Sequence, residues 1–312
     1  MTIKQKNILL ILFTSLLWGL NGNMGAYLFD NTNVNPAGFT AMRLFLGGIF
    51  LLAATHVFDE DVFEILRTPA NITWLAIYGI GGLFVMQFAL YACIHYSNAP
   101  TGCLLQYCGI FLVILYAAVV MKVPPQKLTK LALVLTIVGV VLLLTKGDFG
   151  QLNISKKTMI TGILAMLGYT VSNIAPLKLT VRYSTKIVAG WAMVIGGLFM
   201  TLICILTKEP LPQLQGFSLI AMCYCIVFGT VVPFSLYLAC QKVVGPTIAS
   251  LLGLTESVFS TIFSIFWLKE AFSASDFLGM ILIFSGVVLM TIPEEFWTKK
   301  KILRRIRGNQ TP

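Results

Sequence analysis

Ten stretches of about 20 mostly apolar residues follow one another along this chain, separated only by short polar joins. Such a stretch is long enough to cross a bilayer as a helix, and lipid leaves few alternatives, because every backbone N–H and C=O must be satisfied internally. The stretches run at roughly 7–29, 36–58, 73–95, 99–121, 127–146, 158–180, 184–207, 216–240, 246–268 and 274–292. Asn31 to Pro36, Ser97 to Pro100, Gly147 to Lys157 and Lys208 to Gln215 are among the joins, rich in turn-forming and polar residues. Since 57% of the 312 residues are hydrophobic and only 11% charged, no single soluble core would hide the apolar surface. The sequence predicts an all-α integral membrane protein with ten transmembrane helices and no soluble domain.

The two halves are copies. Phe88 to Pro100 returns as Phe234 to Pro246, with Phe, Leu, Tyr and Pro recurring at an offset of 146 residues. Asn23 and Asn173, Gly47-Gly48 and Gly196-Gly197, and the runs starting at Gly139 and Gly286 extend the match. A single offset near half the chain length is one duplication, not an array of short units. Five helices is an odd number, so the second copy enters the membrane from the opposite side. The expected organisation is two inverted five-helix repeats, at 7–146 and 158–292, followed by a basic tail at 293–312.

Charge sets the orientation. With the N-terminus inside, the inner segments hold 16 Lys and Arg against 5 outside, so both termini are expected in the cytoplasm, in the cell membrane. The net charge of +10 is then topology signal and a tail facing anionic lipid, with no nucleic-acid partner required. Lys4 and Lys6 imitate the start of a signal peptide, but the apolar run behind them is long and lacks a small-x-small site, so it reads as a retained helix. All seven cysteines fall in apolar stretches, without disulfide or zinc spacing, and read as small hydrophobes. There is no GxxxxGK[ST] loop, so ATP is not the direct driver and a gradient of substrate, proton or another ion is. No cofactor or metal is expected.

Polar residues inside the stretches are the candidate site. Of twelve acids only Glu256 lies mid-span, where a charge costs about 2.5–3.5 kcal/mol on insertion scales; it should face a cavity, be protonated or be paired. In the third helix Phe84, Gln87, Tyr91 and His95 form one stripe, and the repeat puts Thr230, Pro233, Tyr237 and Gln241 at the equivalent positions of the eighth. Gln87, Tyr91 and Tyr237 are therefore expected to line a cavity between the halves. Pro233 should kink its helix and free a carbonyl near Gly229. Asn21 and Asn23 cannot both face one way; Asn23 is chosen because Asn173 is its mate, with Trp18 as a stacking face, and hydrogen bonding between helices is an equal reading. Gln106 is a further lining candidate. Gly19, Gly22 and Gly25 allow close packing of the first helix. Arg43, roughly 10 Å deep at 1.5 Å per residue, could hold a carboxylate or snorkel outward.

Taken together, these residues resemble the EamA-type members of the drug/metabolite transporter superfamily across both halves. The resemblance rests on Leu17-Trp18-Gly19 with Asn23, Arg43-Leu44-Phe45, Ala99-Pro100 and Gly245-Pro246, Glu256-Ser257-Val258 and Leu268-Lys269-Glu270. Ser257 stands where the family usually has Pro, and Val123 where a repeat mate of Glu270 would fall. The resemblance implies an alternating-access carrier that moves small metabolites, often amino acids and often outward, through a cavity between the repeats. It also implies a structural or gating role for Arg43, because the family keeps that residue across varied substrates. A membrane scaffold or lipid flippase is the alternative. An intramembrane enzyme would need an acid–base pair, and the span offers Glu256 no second acid.

Overall fold

The computed structural model describes residues 2–57, 61–122, 127–145, 155–209, 214–269 and 273–291. The basic tail, Val123 and Glu270 lie outside them. Among the described residues the chain is helical, with no strand.

Eight helices are long and apolar enough to cross a membrane: α1 (Ile3–Asn31), α2 (Pro36–Val57), α3 (Pro69–Tyr96), α4 (Ala99–Val119), α6 (Lys156–Lys178), α7 (Thr185–Leu206), α8 (Phe217–Val244) and α9 (Ile248–Leu268). Helices α5 (Lys127–Thr145) and α10 (Ala274–Thr291) complete the described set. Their starts follow local chemistry. Thr2 and Gln5 form a reciprocal capping box on α1. Asn98 Oδ1 accepts the Thr101 N–H at 2.9 Å, just before Pro100 in the first turn of α4. Gly245 takes φ +85° between α8 and α9, a conformation that glycine adopts without steric cost.

Most of the packing runs between the halves. α2 lies on α7 and α5 on α10, while α3 and α4 pack on α6 much as α8 and α9 pack on α1. Where α2 meets α7, a Cβ on Gly48 would sit 2.7 Å from Val194 N, and one on Gly197 2.4 Å from Phe45 N. The duplicated Gly-Gly pairs therefore let two backbones touch. Gly19 does the same for α1 on α9, where a Cβ would stand 2.7 Å from that of Phe259.

Two irregularities recur in both halves. α3 widens into a π-helix at Ile77–Phe84, and α8 does so at Val227–Val231. α4 breaks at Cys108 (φ −56°, ψ −21°) and α9 at Leu254 (φ −55°, ψ −23°), positions one repeat offset apart with nearly the same backbone. The expected kink in α8 takes the form of the π-turn directly before Pro233, consistent with the proline's missing N–H.

Candidate functional site: a tyrosine-walled cavity between the halves

A cavity lies where the two halves meet, and a water centre can occupy about 40 Å³ of it. Its wall comes from α1, α3 and α4 of the first half and from α6, α8 and α9, their repeat equivalents, of the second. Seven of the eight candidate lining residues stand on that wall: Trp18, Gln87, Tyr91, Gln106, Asn173, Tyr237 and Glu256.

Asn23 does not. Its amide bridges α1 to α9, donating to the Ser260 carbonyl at 2.9 Å and accepting from Ser264 Oγ at 2.7 Å. Asn21 faces the cavity instead, donating from Nδ2 to Tyr91 Oη at 2.6 Å. In the other half Tyr237 Oη donates to Asn173 Oδ1 at 2.9 Å. Because Tyr91 and Tyr237 are repeat mates, the contacts align Asn173 with Asn21; sequence matching aligned it with Asn23. The reason lies in packing: a Cβ on Gly229 would be 2.2 Å from Asn21 Oδ1, so the bare α8 backbone makes room for this amide. Asn173 Oδ1 also accepts from Gln241 Nε2 at 3.1 Å and Ser250 Oγ at 3.1 Å, which fixes it firmly.

The predicted stripe on α3 holds only in its middle. Gln87 and Tyr91 reach the cavity, whereas Phe84 packs edge-on against Phe199 at 5.2 Å and His95 is exposed beside Phe29. On α8, Tyr237 lines the cavity and Thr230 and Gln241 are tied up in hydrogen bonds. Trp18 does not stack over Asn23; it packs against Phe234 and Tyr237, with centroids 5.2 and 5.3 Å away. The sequence reading missed Tyr78, Tyr107 and Tyr169 on the wall. Their signal was a phenol in the middle of an apolar stretch, where the hydroxyl needs a partner.

Glu256 is 5% exposed, and its carboxyl accepts from Tyr107 Oη and from Cys103 Sγ at 3.4 Å. Cys103 is therefore more than a filler; on α8, Cys225 is buried and Cys223, two residues earlier, is exposed. Arg43 is 1% exposed and neither snorkels nor holds an acid. Its Nη2 donates to the Gly229 carbonyl at 3.0 Å, whose ordinary i+4 partner, Pro233, has no N–H to give. Nε donates to Thr230 Oγ1 at 3.1 Å and to the Cys225 carbonyl at 3.3 Å, and Nη1 to Gln87 Oε1 at 3.2 Å. The rings of Tyr91 and Phe39 cover the guanidinium at 4.8 and 5.1 Å. Arg43 thus joins the irregular turn of α8 to the cavity residue Gln87.

A sequence model described as "EamA-like transporter family" matches this chain twice, at residues 5–145 and 156–292. The chain belongs to the EamA-like transporter family. It is accordingly a multi-pass membrane transporter, not an enzyme. The EamA relatives include the uncharacterised inner membrane transporter YicL of Salmonella typhimurium, 29% identical over 92% of this chain and 96% of that one. Protein PecM of Dickeya dadantii is 26% identical over 75% of this chain and 79% of its own length. A solved structure titled only as a crystal structure of a protein superposes with a TM-score of 0.74, covering 92% of this chain and 97% of the other at 20% identity, a likeness of fold.

Proposed function

We propose that this EamA-like chain is an alternating-access carrier that exports or exchanges a small metabolite, with amino acids the class implied by sequence resemblance. The observation carrying this reading is the wall of the cavity: three helices from each half, in equivalent positions, line one chamber with aromatic side chains and a set of hydrogen-bonding groups. A scaffold has no need of such a chamber. The proposed topology is ten spans in two inverted five-helix repeats, supported by the matching breaks at Cys108 and Leu254 and by the odd helix count per half. We place the protein in the cell membrane, as the Salmonella relative is named for the inner membrane, with lipid and a small solute as partners. Protons are the proposed coupling ion, through Glu256.

Two measurements test this. Cysteine at position 91 or 237, in a background free of native cysteines, will react with a small polar thiol reagent, and substrate will protect it. Absence of labelling in both facing states of an active protein would remove the cavity from the transport path. A reporter active only outside the cell, fused after Pro312, will be silent, since Lys299 to Arg307 hold the tail inside; an active reporter would reverse the topology.

A further inference from the structure

The cavity wall carries a chemical preference that the carrier reading leaves open. Trp18, Tyr91, Tyr107, Tyr169 and Tyr237 supply aromatic surface from both halves, and aromatic faces attract positive charge. Glu256 is the one carboxylate on the wall, and no Lys, Arg or His lines it among the described residues. One lining side chain, Gln106, only 4% exposed, holds a buried acceptor, Oε1, without a hydrogen-bond partner; Trp18 Nε1 is an unpartnered donor on the same wall, and Asn21 Oδ1, also unpartnered, packs against Gly229 of α8. An unpaired buried acceptor is costly, and an N–H donor from a solute would satisfy it. Arg43 is not on the wall: each of its three nitrogens donates to protein, to Gly229, Cys225, Thr230 and Gln87, and the rings of Tyr91 and Phe39 cover the guanidinium.

We propose that the cavity selects a small protonated organic amine: Glu256 faces the ammonium charge, Gln106 Oε1 accepts one of its N–H groups, and the tyrosines surround its apolar body. A free carboxylate on the solute finds no cation on the wall, so an amino acid is disfavoured relative to the amine that lacks its carboxyl group. This rests on the carrier reading and replaces the amino-acid class that the sequence resemblance implies with the amine.

Isobutylammonium, valine and isovalerate share one branched body and differ in charge: cation, zwitterion and anion. Binding to the purified full-length protein in nanodiscs, read by thermal stabilisation and calorimetry, should favour isobutylammonium at least tenfold over the other two. Glu256→Gln should abolish that preference, and Gln106→Leu, a milder change, should weaken amine binding several-fold. Equal or tighter binding of valine or isovalerate would overturn the proposal, as would unchanged amine preference in folded Glu256→Gln. Counterflow in liposomes separates the two levels. Movement of valine or isovalerate without isobutylammonium sinks the amine assignment and keeps the carrier; no counterflow of any solute in a broad metabolite panel sinks both.

Discussion

Arg43→Leu will yield a protein that melts on the order of 10 °C lower in detergent and transports at background level. The substitution keeps apolar bulk and removes four donated hydrogen bonds. Cys225 O retains the Thr230 hydroxyl, but the Gly229 carbonyl and Gln87 Oε1 lose donors, at about 1–3 kcal/mol for each buried group left unsatisfied. Tyr91 loses its cationic partner as well. Arg43→Lys will not restore function, because one ammonium cannot reach Gln87 on α3 and the Gly229 carbonyl on α8 in the planar arrangement that guanidinium provides. Fluorescence-detected melting alongside liposome uptake checks both effects. A Leu variant with wild-type melting and transport would reduce Arg43 to a tolerated accident of packing.

Glu256→Gln will remove the response of transport to an imposed pH gradient. The carboxyl is the one acid inside the helical body that reaches the cavity, and its two oxygens are held by Tyr107 and Cys103 on α4. Glutamine keeps the shape and cannot gain or lose a proton. At saturating solute the variant, present in the membrane at normal level, should move solute at the same rate with and without the gradient. Wild-type accumulation driven by the gradient in Glu256→Gln would make the residue a packing group between α4 and α9.

Much of this architecture could be read from residue order. The duplicated run from Phe88 places Tyr91 and Tyr237 in equivalent positions, and the structure puts both on one cavity. Pro233 announced a free carbonyl near Gly229, although not that Arg43, far away in sequence, would take it. Of the two equal readings of Asn23, the structure has the hydrogen bond between helices, and Asn21 takes the cavity; which of two asparagines on one helix faces inward is decided by neighbours on α8 and α9, not by either asparagine. Tyr107 and Gln106 are adjacent, so a regular helix would send them about 100° apart, yet both reach the wall just before the break at Cys108. Phe84 and His95 fit the stripe by spacing, but the π-turn ending at Phe84 and the helix end near His95 turn them away.

The cross-half packing has a consequence for synthesis. α2 leaves the ribosome well over a hundred residues before α7, its main neighbour, and α5 waits about as long for α10, the last described helix. The early helices therefore enter the bilayer with their glycine faces uncovered, Gly48 among them, and lipid or an insertion chaperone must occupy those faces in the meantime. Contacts so distant in sequence make assembly slow. A chain interrupted before α10 would be inserted yet unfinished, with α5 presenting an unmatched surface to the cell's membrane proteases.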